Sequence, residues 1–205
     1  MIIPQTTEAF VEIANSIRSG GVIAFRTDTF YGLGADPFKR EAVRNIKQLK
    51  GREDRKPILI VISGQDQIDR LITERTRSFN ALASRFWPGP LTLIGKAARQ
   101  VPDEITAGTG TVGVRLPDDD KVRALVRECG GALTATSANP SDQMPAKTAQ
   151  EVHEYFGDAI ELIVDGGPAR SDLPSTVVDV SELEPRLIRE GVIAWADVQF
   201  ALRVS

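Results

Sequence analysis

The run Pro57-Ile58-Leu59-Ile60-Val61-Ile62 holds no polar side chain. A strand with one face in water alternates apolar and polar residues. An unbroken apolar run predicts a strand buried on both faces, and therefore a sheet covered by other layers. Around it, Gly21 to Phe25 reads as a second buried strand. Phe38 to Leu49 places Ala42, Val43, Ile46 and Leu49 at helical spacing. Between them lies Arg26-Thr27-Asp28-Thr29-Phe30-Tyr31-Gly32-Leu33-Gly34, read as hydroxyls at a strand end followed by two glycines in a turn. Ligands of open α/β sheets tend to bind beyond the carboxyl ends of strands, and glycine lets backbone approach them closely.

The remaining chain follows the same logic. Thr6 and Thr7 are candidate caps for a first helix with Phe10, Ile13, Ala14 and Ile17 on one face, stopped by Gly20-Gly21. Helices are expected over Gln65–Ile72 and Thr76–Phe86, a strand over Leu91–Ile94, and a loop over Val101–Thr111. Val112–Leu116 reads as a strand, followed by a helix capped by Asp118. Ala132–Thr136 reads as a strand, and Thr148 caps a helix to Phe156. Strands over Ile160–Val164, Ser175–Val180 and Leu187–Gly191 and a terminal helix from Trp195 to Val204 complete the chain. Strands and helices alternate early, and later strands follow one another directly. This predicts an α/β (α+β-like) fold, a single domain over 1–205, with one mixed sheet flanked by helices.

Composition narrows the function. The 205 residues are 41% hydrophobic and 26% charged, as in ordinary globular chains. A single cysteine, Cys129, forbids an internal disulfide and suits a reducing, cytoplasmic setting. Met1 to Phe10 shows no signal-peptide pattern, and no apolar stretch approaches the roughly 20 residues of a membrane span. A formal net charge of −3 argues against a surface given over wholly to nucleic acid, though not against a local basic groove.

Familiar chemistries are missing. There is no P-loop motif, and Pro37 stands where a third glycine would complete a dinucleotide fingerprint begun by Gly32-Leu33-Gly34. One histidine, His153, and one cysteine build no zinc site of the usual type and no catalytic triad. Scattered Ser, Thr, Lys and Arg at strand ends remain, with no general base. That set suits a reaction run by positioning and charge neutralisation, such as nucleotidyl transfer. Lys47, Lys50, Arg52, Arg55 and Lys56 form a basic turn that either meets phosphate or is a solvated helix end. Thr134 to Ser141 is either a phosphate or ribose cradle or a capped turn. Arg115, inside an apolar strand, needs a carboxylate from the protein or from a ligand. Ser175 and Arg189 sit at strand ends, where a cleft contact competes with an internal bond.

Taken in order, T-D-T-x-Y-G-L-G, K-G-R with a nearby K-P, W-P-G-P-L-T, V-G-V-R-L-P, S-A-N-x-S, P-S-T-V-V-D and I-R-x-G resemble the YrdC-like threonylcarbamoyl-adenylate synthase family over about Thr6 to Gly191. The resemblance implies a twisted α/β sheet with a large positive cavity. It implies conversion of L-threonine, bicarbonate and ATP to threonylcarbamoyl-AMP and pyrophosphate, with magnesium ion assisting. Partner enzymes then carry the group to position 37 of tRNA. It further implies that Thr29, Arg115 and Ser175 meet threonine, that Lys50, Arg52 and Lys56 meet the ATP phosphates, and that Thr111, Ser137, Asn139 and Arg189 hold the nucleotide. No residue is expected to bind a metal or act as a side-chain nucleophile. The chain departs from the family pattern at Arg26 (commonly proline), Val61 (often histidine) and Asp142 (commonly glycine). Two other readings compete: a non-catalytic RNA- or tRNA-binding module of the same fold, and an accessory unit of a larger hydrogenase-maturation carbamoyltransferase.

Overall fold

The computed structural model describes residues 1–51 and 56–204. It contains two mixed sheets rather than the single one expected. The five-stranded sheet has the order β1-β9-β2-β3-β8, and the six-stranded sheet β11-β10-β5-β6-β4-β7. In the first, β1 (Ile2–Pro4), β9 (Leu162–Asp165) and β2 (Ile23–Arg26) run parallel, while β3 (Tyr31–Gly34) and β8 (Thr136–Ser137) add antiparallel strands. In the second, β4 (Ile60–Ile62) is parallel to β6 (Thr111–Arg115) and β10 (Thr176–Asp179) to β5 (Leu91–Lys96). β7 (Ala132–Thr134) and β11 (Arg186–Arg189) close the edges.

The two-sided burial of the apolar runs is explicit in the packing. On β2, Ala24 belongs to one core cluster and Ile23 and Phe25 to the other. On β4, Ile60 and Ile62 face the first cluster and Val61 the second. Helix α1 (Thr7–Ser19) buries Phe10, Ile13, Ala14 and Ile17 against α5 (Asp120–Glu128), whose Val122, Leu125 and Val126 share that second cluster. Gly20 ends α1 at φ 92°, a left-handed conformation in which glycine alone carries no Cβ penalty. Helices α2 (Arg40–Leu49), α3 (Arg77–Phe86), α6 (Ala149–Phe156) and α7 (Trp195–Arg203) bury residues in the larger cluster, and Thr76 and Thr148 cap α3 and α6 through their hydroxyls.

Several local expectations change. The glycines after Thr29 are not in a turn; Tyr31–Gly34 pairs antiparallel with β2, so the hydroxyls occupy the tip of a β-hairpin. Gly34 is demanded by close packing, since a Cβ there would lie 2.7 Å from the Phe25 ring. Ala132–Thr136 is split, because β7 pairs with β4 and β8 with β3, and the chain crosses between sheets at Ala135. The loop expected at Val101–Thr111 includes a short helix α4 (Asp103–Thr106) and gives Thr111 to β6. Asp119, not Asp118, caps α5, accepting from the Lys121 and Val122 amides. Gln65–Arg70 is a 3₁₀ turn, and β1 was not anticipated because its short run gives no period to read.

Candidate active site

The sheets leave a hollow of ≈ 470 Å³ between them, near where the chain crosses from one to the other. That is within the roughly 300–1,000 Å³ usual for small-molecule sites. The hairpin tip supplies Thr27 and Thr29, the carboxyl end of β6 supplies Arg115, and the turn after α2 supplies Lys50. Lys56 and Pro57 lead into β4, β8 brings Ser137 and then Asn139, and Ser175 and Arg189 come from the ends of β10 and β11. These expected site residues, far apart in the chain, all line one space. Thr111 does not: it stands at the other end of β6 from Arg115, roughly 13 Å away at strand spacing, with its hydroxyl 3.0 Å from that of Thr109. Arg52 lies outside the described residues.

The deep end is a buried hydrogen-bonded set. Arg115 Nη1 donates to Thr29 Oγ1 at 3.1 Å and forms an ion pair with Asp28 Oδ1 at 3.3 Å. The carboxylate required by a buried Arg115 is therefore Asp28 of this chain, whose side chain is 5% exposed. Burial presses the Arg115 pKa below its usual value, and Asp28 opposes that shift. Thr27 Oγ1 lies 3.2 Å from Thr29 Oγ1 and donates to the Phe30 carbonyl at 2.8 Å, which fixes the tip.

Opposite, Thr92 and Ser175 hydroxyls meet at 3.0 Å, and the Arg189 guanidinium donates to the Ser175 carbonyl at 2.9 and 3.2 Å. Gly191 makes this closure possible, since a Cβ there would fall 2.1 Å from the Pro174 carbonyl oxygen. The pKa of Arg189 is lowered first by desolvation and then by the positive charge of Arg115. Two guanidiniums facing one space, one of them already paired with Asp28, favour an anionic ligand there.

Lys50 plays a different part from the one its basic surroundings suggest. Its buried ammonium donates to the Ser137 carbonyl, to the Asn139 carbonyl at 2.7 Å and to Asn139 Oδ1 at 3.3 Å. Asn139 Nδ2 in turn donates to the Pro140 and Gln143 carbonyls at 2.9 and 2.6 Å. Lys50 thus ties the end of α2 to the loop after β8 while its charge remains at the wall of the hollow.

Sequence reasoning missed Thr92 and the Asp28 partner of Arg115. A threonine between Leu91 and Leu93 in an apolar strand was an available signal, whereas the Asp28–Arg115 pairing spans 87 positions of chain and has no local one. Among the described residues no group of three or more His, Cys, Asp or Glu is arranged to hold a metal ion. Among them, too, no helix is long and apolar enough to cross a membrane.

A family model for the Sua5/YciO/YrdC domain, described as "Telomere recombination", matches residues 15–191. A threonylcarbamoyl-AMP synthase of Pyrococcus abyssi is 39% identical over 186 residues, covering 91% of this chain and 55% of that protein. One from Marinobacter nauticus is 35% identical over 179 residues, covering 85% and 94%. A crystal structure of Pyrococcus abyssi Sua5 complexed with L-threonine superposes with a TM-score of 0.95 at 36% identity, covering 98% of this chain and 61% of that one. The chain thus spans little more than half of the archaeal relative and nearly all of the bacterial one. With the family model covering most of its length and both sheets reproduced in a relative, this chain belongs to the Sua5/YciO/YrdC family.

Proposed function

We propose that this protein is an L-threonylcarbamoyladenylate synthase, joining L-threonine, bicarbonate and ATP to give threonylcarbamoyl-AMP and pyrophosphate. The observation that carries the reading is the convergence of Thr29, Arg115, Ser175, Lys50, Lys56, Ser137, Asn139 and Arg189 on one hollow. The relatives named as threonylcarbamoyl-AMP synthases support it.

The chemistry suits walls that hold rather than attack. The threonine amine adds to bicarbonate with loss of water, forming a carbamate N–C bond. A carbamate oxygen then attacks the α-phosphorus of ATP, and the α–β bond breaks to release pyrophosphate. Both partners are anions, so cations at the wall lower the barrier by screening the charge that develops between them. Arg115 and Thr29 take the threonine carboxylate and hydroxyl at the deep end, with Ser175 and Thr92 beside them. Lys56 and Arg52 serve the phosphates. Arg189, Ser137 and Asn139 orient the nucleotide, with Lys50 fixing the Ser137–Asn139 loop and adding its charge. A magnesium ion would accompany the nucleotide phosphates and supply further charge neutralisation there. The product would pass to a tRNA-modifying transferase in the cytoplasm, acting at position 37 of tRNA.

The test is pyrophosphate release from ATP by the purified protein with threonine and bicarbonate each omitted in turn. Release that requires both supports the reading; release indifferent to threonine overturns it.

A further inference from the structure

Residues 26 to 29 divide by parity. Thr27 and Thr29 line the hollow, while Arg26 and Asp28 turn away from it toward the corner between β6 and α5. Arg26 Nη2 pairs with Asp119 Oδ2 at 2.7 Å, with side chains only 7% and 2% exposed. Asp119 is already the cap of α5 through its other oxygen, which accepts from the Lys121 and Val122 amides at 3.0 and 3.2 Å. Two residues on, Asp28 Oδ2 accepts from the Asp118 amide at 3.3 Å. The hairpin tip is therefore stapled to the corner at residues 118 and 119, between the end of β6 at Arg115 and the start of α5.

Arg26 is also packed from the other side. A Cβ on Gly166 would lie 2.9 Å from Arg26 Nε, so the loop after β9 presses on the guanidinium stem. On the neighbouring strand position Tyr31 donates to the Gly167 carbonyl at 2.7 Å. Arg26 Nε has no hydrogen-bond partner, which makes the Asp119 contact the tie that sets the side chain. Exposed Arg170 reaches the same Asp119 oxygen at 3.3 Å and lies in the loop that continues to the hollow at Asp172 and Pro174.

We infer that Arg26 is a positioning residue for the reaction: through Asp119 it holds the hairpin tip in the register that brings Thr29 Oγ1 to Arg115, and so sets the threonine end of the site. Resting on the proposed function for its substrate, the inference concerns a residue that touches neither reactant. A guanidinium with a short buried carboxylate contact is well suited to this, because the geometry is directional and water does not compete. Release of the tip displaces Thr29 relative to Arg115 while leaving Ser137, Asn139 and Arg189, which belong to other elements, in place.

The test uses Arg26→Met, which keeps the apolar stem, Asp119→Asn, which keeps a capping oxygen, and the double variant, which leaves no buried charge without a partner and guards against a folding failure. Pyrophosphate release is measured against threonine and against ATP, and amide exchange of residues 27–30 is followed without ligand. Each single variant is expected to raise KM for threonine about tenfold or more with KM for ATP within about twofold, since displacements on the scale of 1 Å carry effects of that size. The double variant should be no worse than Arg26→Met, because both changes cut the same tie. Exchange at 27–30 should quicken about tenfold while that of α7 stays as in wild type. Parallel shifts in both KM values, additive losses, or unchanged exchange would overturn the inference. A wild-type protein indifferent to threonine would defeat the proposed function instead, and exchange at 27–30 would still decide the role of Arg26.

Discussion

The deep end of the hollow and its mouth are built from opposite materials. At and behind the deep end, Arg115 on the wall and Arg26, Asp28 and Asp119 beyond it are buried charges held by partners from distant parts of the chain. At the mouth, Lys147 and Asp172 form an ion pair at 2.6 Å with side chains 47% and 87% exposed, flanked by Met144, itself 75% exposed. Water screens the second pair and not the first. The deep end is therefore preorganised and the mouth adjustable.

The contrast is open to being broken. The largest effect is expected from Arg115→Ala, which removes the proposed threonine contact and leaves Asp28 buried without its cation. Threonine-dependent turnover should fall about 30-fold or more, with ATP binding by calorimetry far less affected, and the melting temperature should drop, since truncating one member of a buried pair costs about 3–5 kcal/mol. Equal loss of both substrates would reduce Arg115 to a structural residue. Arg189→Ala, at the opposite wall, should weaken ATP about tenfold, the scale of one hydrogen bond to a charged group, with folding little changed.

The next test is alkaline. Burial first, and then the nearby Asp165 carboxylate, push the Tyr31 phenol up from 10.0 to about 12. Below pH 10 the phenol is neutral in both states. Between 10 and about 12 the unfolded chain releases that proton while the folded one keeps it, so stability falls as pH rises through this window. Urea midpoints at stepped pH should show the fall, and Tyr31→Phe should make it shallower. Burial likewise lifts the Cys129 thiol to about 12, so alkylation of the native protein near pH 8 should be slow until denaturant is added. The smallest effect belongs to the mouth: Lys147→Ala should change either KM by less than about twofold and leave the melting temperature within error. A larger change there, sensitive to salt, would mean that the rim is part of the selective machinery.

How much was legible in the chain can be judged residue by residue. The helix faces, the cap Thr148, the stop at Gly20 and the two-sided burial of Ile60 to Ile62 all follow from periods of a few residues and from local hydrogen bonding. Thr29, Arg115 and Arg189 stood out because polar groups at the ends of apolar strands need a reason. Thr111 lies at the far end of β6 from Arg115 and outside the lining of the hollow, because membership of a strand does not say which end faces it.

Sequence by itself determined the layered α/β character, most element positions and the stock of hydroxyls and cations, because side-chain periodicity and capping act between near neighbours. Only the tertiary structure decided that there are two sheets, that Ala135 is the crossing point, that Asp28 partners Arg115, that Lys50 braces a loop and that Arg26 staples the hairpin to α5. Those outcomes depend on which distant groups meet once water is excluded. Burial makes each unpaired charge or amide seek its partner wherever the fold has brought one, and no local pattern records where that is.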